Sequence, residues 1–299
     1  TGSLVQNAPG LFVSDLDFSL AGQQTDMLTV SGSAELAGEV ILQLSNISEL
    51  RTGTFSSVLI DAAGGVTDNG ITLRGFEPSA VARFALGFSP TRMTLEHTID
   101  FAGLNGGLNA NRTSFGEYLN RAVNDGNNSA VQDLAVSLLF VPELSQIEAS
   151  YDTLNGTIYA DNVADMALAG ERFSQSMFDC RQVSDISSGS GCAWGNYSDH
   201  DTKFAATTQN LRADARSERI AGGFEFGVGG GWTLGFSAAR DWVDLAAQTA
   251  SSNGERSFLG AFVGGQTNGL KAQVFVTYGE ASNDVARVLA YPGSIATVT

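Results

Sequence analysis

The chain has 299 residues, of which 43% are hydrophobic, and 16 Lys and Arg stand against 32 Asp and Glu. A net charge of −16 argues against a nucleic-acid partner, because phosphate binding needs clustered cations. Mean hydropathy is +0.02, and no apolar run reaches the roughly 20 residues of a spanning helix, so any insertion into a bilayer must use strands.

Residues 1–105 read as β. Leu28 and Val30 alternate, then Ala34 and Leu36, then Val40, Leu42 and Leu44. Short runs follow at Val58–Ile60, Ile71–Leu73, Phe84–Leu86 and Met93–Leu95, with turn clusters such as Ser31-Gly-Ser and Asp68-Asn-Gly70 between them. This punctuation suits either a stacked β solenoid or a sandwich, and periodicity does not choose between them. The pattern changes near Asn111. Phe115, Leu119 and Val123 recur at helical steps, as do Val131, Leu134, Ala135, Leu138 and Leu139, and then Leu144, Ile147, Tyr151 and Leu154. Pro142 is placed at a first helical position. A further helix is expected over 161–178, where Ala164, Ala167, Ala169 and Gly170 permit close backbone approach.

Cys180 and Cys192 flank a Ser-Ser-Gly-Ser-Gly stretch flexible enough to close a disulfide loop in an oxidising compartment; two free thiols are the alternative. From Gly191 strands return. Trp232, Leu234, Phe236, Ala238, Arg240 and Trp242 share one face, with Thr233, Gly235, Ser237, Ala239 and Asp241 opposite. Ten residues on a strand tilted by about 40° separate Trp232 and Trp242 by about 25 Å along a bilayer normal, the height of an outer-membrane apolar band. Arg240 lies near the strand end and is expected to snorkel. Ile220, Gly222, Phe224 and Phe226 share a face opposite Glu225. Leu270, Ala272, Val274, Val276 and Tyr278 share another, opposite Lys271, Gln273 and Thr277. The run Phe258–Gly264 fits either face. Tight connections at 227–231 and 266–269, with long polar ones at 199–217 and 244–254, match the loop asymmetry of outer-membrane barrels. About five strands are too few to close a barrel, so the rest is expected beyond Thr299, and with Thr1 in place of a Met a chain cut at both ends is expected.

This order of parts resembles the monomeric, type Va autotransporters. Thr25–Gly38 resembles the D-x-L-x-V-x-G-x-A-x-L-x-G rung near the end of their β-helical passengers, and Tyr151–Ala160 the L-S-G-E-x-x-A stretch before their linker helix. Cys180 to Trp194 resembles the start of their barrel. The resemblance implies a mainly β fold: a right-handed parallel β-helix over 1–110 (autochaperone-like), a helical junction and pore-spanning linker over 111–182, and an incomplete antiparallel transmembrane β-barrel over 183–299. It implies a bacterial outer-membrane location with an extracellular passenger, and as partners outer-membrane lipid, the barrel-assembly machinery, periplasmic chaperones and a host-cell surface. The terminal aromatic residue that the family uses for assembly is missing, and the expected pore helix has no Asn-Asn pair for self-cleavage.

Trp232, Trp242 and Tyr278 are then girdle candidates. Glu171 and Arg172, on a helix inside the barrel, are expected to pair with wall charges such as Glu225, Asp241 or Lys271. No catalytic, metal or cofactor set stands out. His97 is expected on a solvated strand face and His200 in an external loop, where Asp199 and Asp201 flank it. Gly227–Gly231 lacks the Lys-Ser and helix of a phosphate loop. Asp15 and Asp17 share a strand face, and Asn127-Asn128 reads as turn chemistry. An adhesin or a glycan-active β-helix is the alternative function.

Overall fold

The computed structural model describes residues 2–19, 24–75, 79–178, 180, 190–267 and 270–298. It is mainly β, with 54% strand and 23% helix. Two compact units form, one of residues 1–155 with 290–295, the other of residues 156–289 with 296–299. The division falls within the 111–182 stretch, expected to hold the helical junction and the linker helix. Three of its helices belong to the first unit and one to the second.

In the first unit the strands are β1 (Leu4–Gln6), β2 (Leu11–Asp17), β3 (Gln24–Thr25), β4 (Leu28–Val30), β5 (Ala34–Ser45), β6 (Gly53–Ala62), β7 (Val66–Arg74), β8 (Ala82–Phe88) and β9 (Arg92–Ile99). Their ladders are largely parallel. Leu4 of β1 pairs with Ala34 of β5, which pairs with Val66 of β7; Phe12 of β2 pairs with Val40 of β5, which pairs with Leu73. Gly32 donates to the Gly2 carbonyl and Gly64 to that of Gly32, each at 2.9 Å. A Cβ on Gly64 would lie 2.7 Å from the Gly32 carbonyl carbon, so glycine lets these backbones touch. The stack ends in an antiparallel set in which β9 pairs with both β6 and β8.

Helices α1 (Ala110–Asp125), α2 (Ser129–Leu139) and α3 (Leu144–Leu154) follow. Asn109 caps α1 by accepting from the Arg112 N–H, and Gly126 ends it in the left-handed region at φ 65°. Asn128 caps α2 by accepting from the Ala130 and Val131 N–H groups, so this asparagine starts a helix as well as ending the turn. Pro142 lies outside α3, because Glu143 takes the extended N-cap position. Leu119, Val123, Ala135, Leu138, Leu139, Ile147 and Tyr151 join Leu36, Val40, Leu59, Ile60 and Leu95 in one buried cluster. That shared core is why these helices fold with the strands before them.

The second unit has one long helix, α4 (Thr157–Ser176), and most of a six-stranded sheet, β10 (Gly191–Phe204), β11 (Ala213–Gly229), β12 (Trp232–Ala247), β13 (Ala250–Thr267), β14 (Leu270–Tyr291) and β15 (Ser294–Val298), of which residues 290–295 count with the first unit. The strands pair in chain order, and the sheet does not close on itself among the described residues. The expected long connections at 199–217 and 244–254 are mostly strand. β10 runs on to Phe204, and only Gln248 and Thr249 separate β12 from β13. Polarity on both faces ends an apolar pattern, but it does not end backbone pairing with a neighbour. Among the described residues no helix is long and apolar enough to cross a membrane.

Candidate functional site

The buried stripe of α4 is Ile158, Asn162, Asp165, Ala169 and Phe173. The spacing is that of an ordinary amphipathic helix, but its centre is polar. Towards the N-terminus, Ile158 packs with Ala213, Ala215 and Leu245. Towards the C-terminus, Ala169, Phe173 and Met177 pack with Ala221, Ala239, Phe258 and Phe262. Phe173 and Phe258 stack at 5.4 Å. A Cβ on Gly260 would meet the Met177 sulfur at 2.7 Å, so the sheet is thinned where the helix is bulky. The run Phe258–Gly264 is thereby resolved: Phe258 and Phe262 face the helix, and Leu259 faces away.

Between the two apolar clusters lies a layer of ions. Arg256 of β13 donates to Asp165 of α4 at 2.5 Å, and both side chains are essentially inaccessible. Arg219 of β11 forks onto Asp241 of β12 at 2.6 and 2.8 Å and donates to the Ala169 carbonyl at 2.8 Å. Its guanidinium lies 5.1 Å from the Phe258 ring centre. Arg172 donates to the Thr202 hydroxyl at 3.3 Å and approaches Asp165 at 3.8 Å. Charges this deep cost several kcal/mol each to desolvate and persist because they are paired.

These contacts correct the expected pairings. Asp241 does meet an arginine, but it is Arg219 of the neighbouring strand. Arg172 reaches Asp165 and Thr202. Glu171 is exposed and accepts from Gln175 one turn along its own helix. Glu225 is buried on the helix side of β11. Lys271 lies opposite Gln266 in the ladder, and its side chain is outside the described residues. Asp165, Arg219 and Arg256 were not legible as site residues, since a charge inside an amphipathic pattern ordinarily reads as solvated.

The other face of the sheet carries an apolar band that is uncovered among the described residues. Phe224, Trp232, Phe236, Leu259, Val274, Val276 and Tyr278 are all exposed on it. Register aligns them in rows: Gly222, Ala238, Leu259 and Tyr278; then Phe224, Phe236, Ala261 and Val276; then Phe226, Leu234, Val263 and Val274. Trp232 sits in the next row, beside Gly265 and Ala272. Trp242 is also exposed, in a row beyond the apolar ones that holds Glu218, Glu255 and Ser282. Arg240 ion-pairs with Glu255 across the strands. A contiguous apolar surface of this kind marks a contact with lipid or protein.

Cys180 and Cys192 form a disulfide that ties the chain just beyond α4 to the start of β10. Among the described residues no cluster of His, Cys, Asp or Glu could hold a metal. His200 lies within β10, and strand alternation separates it from Asp199, which pairs with Arg216 at 2.7 Å. Asp17 accepts from Asn46 and Ser19, which lowers its pKa.

His97 corrects another expectation, since it is buried and not solvated. It stacks between Phe55 of β6 and Phe84 of β8 at 5.2 and 5.6 Å, with Phe18 edge-on at 6.3 Å. Burial pushes its pKa down from 6.5 to about 4. The unfolded chain therefore binds the proton first. The stability from neutral His97 is complete above about pH 6.5 and drains away as pH falls towards 4. We expect about 3 kcal/mol from this residue. Urea unfolding of the first unit at several pH values should show the slope, and His97→Leu should flatten it relative to the carboxylate background. An unchanged slope in the variant would refute this.

No family model, curated protein or solved structure matches the chain.

Proposed function

We propose that this chain is part of an autotransporter: the end of a β-helical passenger, its junction helices, a pore-spanning α4, and the first strands of an outer-membrane barrel. The barrel anchors the molecule in a bacterial outer membrane and helps export and display its own passenger, which lies outside the cell. No catalytic step is assigned to these residues. The observation that carries the proposal is the two-facedness of the second sheet. One face is apolar, aromatic and bare. The other holds a helix by buried ion pairs. A soluble sheet would reverse this, hiding the greasy face and wetting the charged one.

Two further features support the reading. Parallel rungs that stack Leu4 on Ala34 on Val66 are what a solenoid passenger requires. α4 ends at a disulfide to β10, which confines the helix to the strand from which the wall begins. Folding of the stacked rungs outside the cell would bias chain movement outward without a nucleotide.

The test is exposure on intact cells. An epitope placed in the Ser89-Pro90 turn of the full-length protein should bind antibody without permeabilisation, and the protein should fractionate with the outer membrane. Epitope access only after permeabilisation, or recovery in the soluble fraction, would end the proposal.

A further inference from the structure

Where the apolar face begins and ends is set by the register of the sheet. On β11 it runs from Ile220 to Phe226, with Glu218 and Arg216 next along the same face. On β12 it runs from Trp232 to Ala238, followed by Arg240. On β13 it runs from Leu259 to Gly265, with Ser257 and Glu255 beyond. On β14 the described side chains run from Ala272 to Tyr278, followed by Glu280. β12 and β13 thus present the same short stretch, while on β11 exposed Val228 lies beyond Phe226 at the turn end, where the register shifts. A polar row ends it on β12 to β14, with Arg240 beside Ser257 beside Glu280, while Ile220 of β11 stands opposite Arg240; one row on, Glu218 stands beside Trp242 beside Glu255.

From Trp232 to Ala238 is six steps, or about 20 Å along a strand. At a tilt of about 40° that is about 16 Å of depth, against the about 25 Å of an ordinary outer-membrane band. Spanning strands normally devote about 9–11 residues to the hydrocarbon. The polar edge of the band lies on one row across β12, β13 and β14 and one row further on at Ile220 of β11.

We infer that this face fits a bilayer thinner than the usual one: its partner is a lipid surface of short hydrocarbon depth, and Trp242 with the Arg240–Glu255 pair belongs to the headgroup layer. The inference rests on the membrane reading above and adds to it a thickness and a depth for each tryptophan. A longer band would need Arg240 and Glu255 to lie within hydrocarbon, where each charge is costly. Mismatch is relieved by thinning the bilayer, which sorts proteins towards thin membranes.

The experiment uses the full-length protein in phosphatidylcholine vesicles with saturated chains of 10 to 16 carbons, all above their melting temperatures. Single-tryptophan variants keep either Trp232 or Trp242, with Phe at the other two positions. Bromine at mid-chain should quench Trp232 at least twice as strongly as Trp242. A headgroup-level quencher should reverse that order. Folded yield should be highest in the thinnest bilayers, and Arg240→Leu with Glu255→Leu should shift the optimum to longer chains. Because thin bilayers admit many barrels readily, the shift between variant and parent is the deciding comparison. Equal mid-chain quenching of the two tryptophans, or an optimum unmoved by the double substitution, would overturn the inference and leave the membrane reading standing. Failure to insert in any vesicle would overturn both.

Discussion

Asp165→Leu should destabilise the second unit by about 3–5 kcal/mol, and adding Arg256→Met should restore most of that loss. The reason is which charge is left behind. Asp165 is the acid that Arg256 contacts, at 2.5 Å, and both are shut away from solvent. Removing the carboxylate strands a guanidinium in a medium that solvates it poorly. Removing both leaves apolar side chains of similar length against the Ile158 and Phe173 clusters. Arg256→Met alone should cost less than Asp165→Leu alone, because Arg172 lies 3.8 Å from Asp165 and can move in. Urea unfolding followed by tryptophan fluorescence measures all three. If both single variants fall within about 1 kcal/mol of the parent, the pair is hydrated and does not fasten α4 to the wall.

This pair also shows where sequence reading stops. The alternation from Trp232 to Trp242 states which side chains leave the sheet together, because a strand has a period of two whatever surrounds it. The steps from Phe115 to Val123 announce α1 for the same kind of local reason. Partners are another matter. Asp165 and Arg256 are 91 residues apart, and nothing near either residue names the other. His97 was misplaced likewise: the Phe55 and Phe84 rings that bury it arrive from β6 and β8, through pairings fixed only by the fold. The polar ends of β10 and β12 read as loops because side-chain character changed, yet neighbouring strands satisfied their backbones. Ladder register, which sequence does not give, is also what places Trp242 in a row beyond the apolar ones.

Gly116→Val should destabilise the first unit by about 3 kcal/mol or more. Gly116 sits in the middle of α1, where glycine costs about 1 kcal/mol relative to alanine, so propensity alone favours substitution. Packing forbids it. A Cβ there would lie 2.6 Å from the Phe101 carbonyl carbon and 2.7 Å from the Ala102 Cα, and both are backbone atoms with no rotamer to change. The helix would have to lift away. That would break the grip on Phe101, whose N–H donates to Asn120 Oδ1 at 2.9 Å and whose carbonyl accepts from the Tyr151 hydroxyl at 2.6 Å. Losing two such buried bonds at about 1 kcal/mol each outweighs the propensity gain, even before the clash is counted. Tyr151→Phe, which removes one bond and no space, should cost only about 1–2 kcal/mol. If this unit is the part whose folding outside the cell draws the chain outward, Gly116→Val should leave the second unit in the outer membrane while sharply reducing protease-resistant first unit on intact cells. Equal surface display of parent and variant, with the variant measurably less stable, would separate folding of this unit from export.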